Sequence, residues 1–219
     1  MRGRCWGRLG IIWRGWSIGG SRRAKKREIS DPLINGFPVG IKDQAKCVMQ
    51  MIVQQHSSIE DAPVSEDAFN VSLGSETVSF PSRIYYDPLP EHQLNFLNNE
   101  QRTIVRCLYT RSHDGYVRQK SVEVLLDSGV KEQWVIPYIV KLCDDYVVEI
   151  VQTIYERRDL LPIDLVREFT DNNREFVQRC YQRMVSYWDC YYRQQVPRLQ
   201  DYVGYHLFRD LLGVYSVTE

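Results

Sequence analysis

Asp114-Gly115-Tyr116-Val117-Arg118 and Asp144-Asp145-Tyr146-Val147-Val148 follow one pattern, set 30 residues apart. The match continues at the same offset from Ser121 to Val151 and from Val124 to Ile154. Each part of the pattern has a physical role. The aspartate offers a carboxylate to the unpaired N–H groups at a helix start. Tyr and Val open the face that packs on the preceding helix. A small or branched residue four places after Val leaves room for a neighbour. One such unit cannot bury its apolar face alone, so the repetition predicts stacked antiparallel helical hairpins.

Helical spacing extends from there in both directions. A first helix carries Leu94, Leu97, Ile104, Val105 and Leu108 and ends near His113-Asp114-Gly115. The second runs from Tyr116 to Asp127-Ser128-Gly129, and the third holds Trp134, Val135, Tyr138, Ile139 and Leu142. The fourth holds Val147, Val148, Val151, Ile154 and Tyr155. Pro162 suits the first turn of a long fifth helix over 163–195, striped by Val177, Tyr181, Met184, Trp188 and Tyr191. Pro197 breaks it before a last stretch with Leu199, Tyr202, Val203, Leu207 and Leu211. Residues 91–219 therefore read as one helical, repeat-like domain, and the fold class is mainly α.

Asp-x-x-Val-Arg at 114–118, with Ser121 three places on and then Val124-Leu125, resembles the second helix of a HEAT-type repeat. Pro137 resembles the proline that bends the first helix in that family. The resemblance covers about residues 91–160 and reaches, less closely, towards Glu219; position 148 is Val where the family favours Arg. It implies a curved α-solenoid that binds macromolecules and has no inherent chemistry.

Ahead of the helical domain, residues 41–90 read as a short helix plus a β-hairpin. Ala45, Val48, Met49 and Ile52 fall on one helical face. Phe69, Val71 and Leu73 alternate with polar residues, as do Val78 and Phe80 after Gly74-Ser75. A two-residue turn led by Gly pairs Leu73 with Glu76, Val71 with Val78 and Phe69 with Phe80. An isolated hairpin is marginal in water, so this one is expected to lie on the helical body or on a partner. Its strand edges leave a homodimer open.

Residues 1–40 read as a disordered basic arm and linker. Nine of the 28 basic residues lie in the first 30, against Glu28 alone, so an arm of charge +8 precedes a body of charge −8. Trp6, Trp13 and Trp16 and six of the first 20 residues as Gly argue against a helix there. The arm admits several readings: a tail outside the fold, an extended reading frame, a targeting segment, or a nucleic-acid or membrane contact through Arg22-Arg23-Ala24-Lys25-Lys26-Arg27. No apolar run approaches the length of a membrane-spanning helix. The six cysteines are widely spaced, with no Cys-x-x-Cys, which argues against a zinc framework and for reduced thiols in a cytoplasmic protein.

Candidate chemistry is sparse, and no cofactor is expected. His113-Asp114 could orient a general base but reads more simply as an exposed link. Asp144, Asp145 and Glu149 could hold a hard cation and so support an enzyme; capping and the helix dipole account for all three. No nucleophile elbow or phosphate loop is present. The surface singled out is the aromatic end of the fifth helix: Arg183, Tyr187, Trp188, Tyr191, Tyr192 and Arg193. Exposed aromatics with arginine favour interfaces, so the expected function is a non-catalytic interaction module with a protein partner. The alternative partner is nucleic acid, bound through residues 1–30 or by base stacking on the Arg/Tyr face of that helix.

Overall fold

A computed structural model describes residues 31–59 and 62–214. The basic arm, with every reading attached to residues 1–30, lies outside the described residues. The chain is mainly helical, with one two-stranded antiparallel sheet. In order come α1 (Asp31–Ile34), α2 (Lys42–Ile52), β1 (Ala68–Leu73), β2 (Glu76–Pro81), α3 (Glu91–Leu94), α4 (Asn99–Tyr109) and α5 (Gly115–Asp127). Then follow α6 (Ile136–Val140), α7 (Val148–Glu156), α8 (Ile163–Asn172), α9 (Arg174–Tyr187) and α10 (Val203–Leu212). No helix among the described residues is long and apolar enough to cross a membrane.

The hairpin has the expected register, Val71 opposite Val78 and Phe69 opposite Phe80, and Gly74 turns it with φ of 58°. It lies on the helices. Phe80 is fully buried, its ring 4.7 Å from that of Tyr138 and 6.5 Å from that of Phe176 on α9. Each outer strand edge is met at one position by another part of the chain. Ser72 of β1 exchanges both backbone bonds with the Asn173 side chain, and the Ser79 N–H of β2 donates to the Asn35 carbonyl. Strand addition by a second copy is therefore not available at those positions.

Several segments depart from the sequence reading. Residues 31–40 are not a linker: Leu33, Ile34 and Phe37 are buried, and Phe37 stacks on Tyr138. Gly36 allows this approach, because its carbonyl accepts from the Tyr138 hydroxyl at 3.0 Å and a Cβ there would collide with that hydroxyl. The first helix splits after Leu94, since Asn98 forms a capping box with Gln101 and starts α4 afresh. Pro137 stands in the first turn of the five-residue α6, so it helps to start that helix instead of bending one.

The long fifth helix is also broken. Asn173, at φ −132° and ψ 37°, separates α8 from α9, and a π-turn over Trp188–Tyr192 ends the run. The two repeat copies begin differently as well. The Asp114 carboxylate accepts from the Tyr116 N–H at 2.8 Å as expected, but in the second copy Asp145, not Asp144, accepts from Val147 at 3.1 Å. At the same 30-residue offset the cap thus moves one position along, which releases Asp144 from it.

Within the body α4 packs on α5, α5 on α7 and α7 on α10, which also touches α8 and α9. One hydrophobic core runs through all of these elements and the hairpin, from Leu33 to Leu212.

Candidate functional site

Where β1, the end of β2 and α9 meet the turn after α6, they enclose a cleft of about 600 Å3. Phe69, Arg83, Lys141, Asp144, Arg183 and Tyr187 line it, Asp145 closes its inner end, and exposed Asp67 stands at the mouth. Each element supplies a different kind of group. The strand end delivers Arg83 beside Ser82, whose carbonyl accepts from the guanidinium at 2.9 Å. The turn after α6 exposes Lys141, Asp144 and Asp145 at its inner side because Asp145 points back to cap the chain entering α7. Arg183 and Tyr187, one turn apart on α9, form the opposite wall.

The charges in the cleft fall into two matched pairs and a remainder. Arg118 of α5 forks onto Asp145 with two bonds of 2.9 Å and donates to the carbonyls of Ser112 and His113 at 3.0 Å. Burial pulls this guanidinium down, but the Asp145 bonds outweigh it and raise Arg118 above its ordinary value. Burial works against Asp145 in the same way; Arg118, the Val147 N–H and Arg83 at 3.7 Å hold its carboxyl below the usual range. Lys141 pairs closely with Asp144, with burial lowering the ammonium and Asp144 offsetting part of that.

Arg83, Arg183 and Arg111 remain. Arg183 reaches Asp144 only at 3.6 Å and lies 5.6 Å over the Phe69 ring, which Lys141 also faces at 4.8 Å. Arg83 is lowered by burial and by the charge of Arg118. Arg111, in the link between α4 and α5, is fully buried, and none of its three guanidinium nitrogens has a hydrogen-bond partner among the described residues. Burial pushes it down to about 9, so it is still a cation at neutral pH; the charges that act on it most are Arg83, Asp145, Asp144 and Arg118.

Of the six surface residues singled out in the sequence, Arg183, Tyr187 and Tyr191 share one rim of this cleft. Tyr187 has its ring 6.0 Å from that of Tyr146 and 6.0 Å from that of Tyr191, and Tyr191 and Tyr146 are both exposed. The other three have structural work. Trp188 is buried, with its indole N–H on the Val196 carbonyl at 2.9 Å. Tyr192 donates to the Tyr146 carbonyl at 2.7 Å and stacks on Tyr202. Arg193 is tied to Asp189 at 2.7 Å and lies over Trp188. Arg174 and Arg179 are likewise held by Asp171 and Glu175, so the Arg/Tyr face read as a route to nucleic acid is largely a row of ion pairs.

The carboxylate trio diverges: Asp144 turns to Lys141, Asp145 to Arg118, and Glu149 is exposed. Among the described residues no group of three His, Cys, Asp or Glu is placed to hold a metal ion. His113 stacks on Tyr85 while the Asp114 carboxylate caps α5, so the two do not form an oriented base. Cys107, Cys143 and Cys180 are buried, with their thiols pushed up by burial. Arg83, Arg111, Arg118 and Lys141 were not anticipated as a group. The one signal in the sequence was Arg118, which closes the first repeat copy and faces the aspartate of the second. Comparison with protein-family models, with curated proteins and with solved structures gives no match for this chain.

Proposed function

We propose that the chain is a non-catalytic interaction module that docks a protein partner on the rim formed by Arg183, Tyr187, Tyr191 and Tyr146. The observation that carries this reading is the run of tyrosine rings, Tyr146 to Tyr187 to Tyr191, spaced at 6.0 Å beside a charged cleft walled by Arg183. Such rings offer large amphipathic contact area at low entropy cost, and arginine beside them is typical of residues that dominate interfaces. The order of packing from α4 to α5, α7 and α10 is read as a HEAT-like stack that holds this rim rigid. The widely spaced cysteines favour a reducing, cytoplasmic setting.

The test is a pull-down with the tagged full chain after nuclease treatment, comparing wild type with Tyr187→Ala plus Tyr191→Ala. A stoichiometric protein held by the wild type should fall at least tenfold with the double variant, in line with a loss of about 1.4 kcal/mol or more. Undiminished capture of every partner by the double variant would rule the rim out. Capture abolished by nuclease would transfer the reading to nucleic acid.

A further inference from the structure

We infer that the cleft between the hairpin and α9 is a binding site for a phosphate-type oxyanion. Three cationic side chains, Arg83, Lys141 and Arg183, line it beside the carboxylates of Asp67, Asp144 and Asp145. Two more stand behind them: Arg118 on Asp145, and Arg111, whose carbonyl accepts from the Ile84 N–H at 2.8 Å next to Arg83. Asp145 is taken by the Arg118 fork and Asp144 Oδ1 by Lys141, Asp144 Oδ2 is buried without a hydrogen-bond partner among the described residues, and Asp67 stands exposed at the mouth. The lining charges balance, and the two buried arginines behind them leave the whole cluster with two net positive charges, which matches a dianion.

The donors are as telling as the charge. Arg111 is wholly buried behind the strand end that carries Arg83, with Nε, Nη1 and Nη2 all unbonded among the described residues. Buried polar groups in folded proteins nearly always have partners, and those that do not call for a specific explanation. Arg83 and Arg183, both in the cleft lining, approach their carboxylates only at 3.7 and 3.6 Å, beyond hydrogen-bonding distance, so each keeps N–H donors that no carboxylate takes. Planar guanidinium forks match the oxygens of a phosphoryl group, and guanidinium is less strongly hydrated than ammonium, which favours it in an enclosed site. Phe69 forms an apolar wall under Lys141 and Arg183, holding both against the side of the cleft.

This site deepens the docking reading, on which it rests only where the phosphoryl group is carried by a partner. Binding is measured by calorimetry on the full chain, with inorganic phosphate titrated at constant ionic strength and acetate as the control. A phosphoserine peptide and its unphosphorylated form make the second arm. Phosphate is expected to bind at least tenfold more tightly than acetate. Arg83→Gln and Arg183→Gln, both at partly exposed positions, should each weaken it tenfold or more, and Arg209→Gln on α10 should not. Tyr191→Ala should leave phosphate binding unchanged even while it removes a protein partner, which separates the two readings. A phosphopeptide that binds more tightly than free phosphate locates the anion on a partner; equal affinity, with no gain from the peptide, assigns the site to a free phosphate compound. Phosphate that binds no better than acetate, or that binds equally to Arg83→Gln and Arg183→Gln, overturns the inference.

Discussion

Arg118 is the residue on which the inner end of the cleft depends. Its side chain is wholly buried, and it survives there because a carboxylate and two carbonyls take its donors. Removing one member of a buried pair leaves the other charge without compensation, so Arg118→Met should cost about 3–5 kcal/mol in denaturant unfolding. Arg118→Met combined with Asp145→Leu should cost less than the sum of the two single changes, because no lone charge is left. Acid reads the same pair. The Asp145 carboxyl is held below its unfolded value of 3.8, so its contribution is complete above that value. It is lost as pH falls through the lower, folded value, because there the unfolded chain binds a proton that the native chain refuses. Stability measured from pH 5 to pH 2 should therefore fall less steeply in Asp145→Asn than in wild type.

At the scale of elements, local chemistry separates what was legible from what was not. The hairpin could be read completely, because alternation and a Gly-led turn set its register without help from the rest of the chain. The start of α5 was equally plain, with Asp114 beside the N–H group it caps. The break between α8 and α9 was not, because its cause lies 101 residues away. The Asn173 side chain accepts from the Ser72 N–H at 2.7 Å and donates to the carbonyls of Ser72 and Phe169, both at 2.9 Å. A helix running straight through 173 could not bring that amide to the strand edge, so a good helical stripe gives way to one tertiary contact. Asn173→Ala should destabilise the fold by about 1–3 kcal/mol through the unpaired groups it leaves. Hydrogen exchange would localise the loss: the Ser72 amide should lose protection while the amides bonded across the hairpin keep theirs.

Over the whole molecule, the same contrast explains why the cleft was invisible in the sequence. Its charged groups come from positions 83, 111, 118, 141, 144, 145 and 183, and no local pattern connects them all; Arg118 showed only as part of the repeat, Asp144 and Asp145 as candidate cation ligands, and Arg183 as part of an aromatic interaction surface. What joins them is the packing, and the packing is continuous. Phe37, Phe80 and Tyr138 bring α1, β2 and α6 into contact, and Phe69, Phe80, Phe169 and Phe176 tie the hairpin to α8 and α9. A hairpin so joined cannot leave without exposing the aromatic centre on which the helices also rest. Unfolding of the described body should therefore be a single cooperative transition, with hairpin and helices lost together. Thermal melts followed by far-UV circular dichroism, which is dominated by the helices, and by near-UV circular dichroism, which follows the packed aromatic rings, should give one midpoint. Phe80→Ala, expected to cost about 3–5 kcal/mol, should lower both signals in parallel. A variant in which the aromatic signal melts well before the helical one would show the hairpin to be an independent unit, and with it the hairpin wall of the cleft.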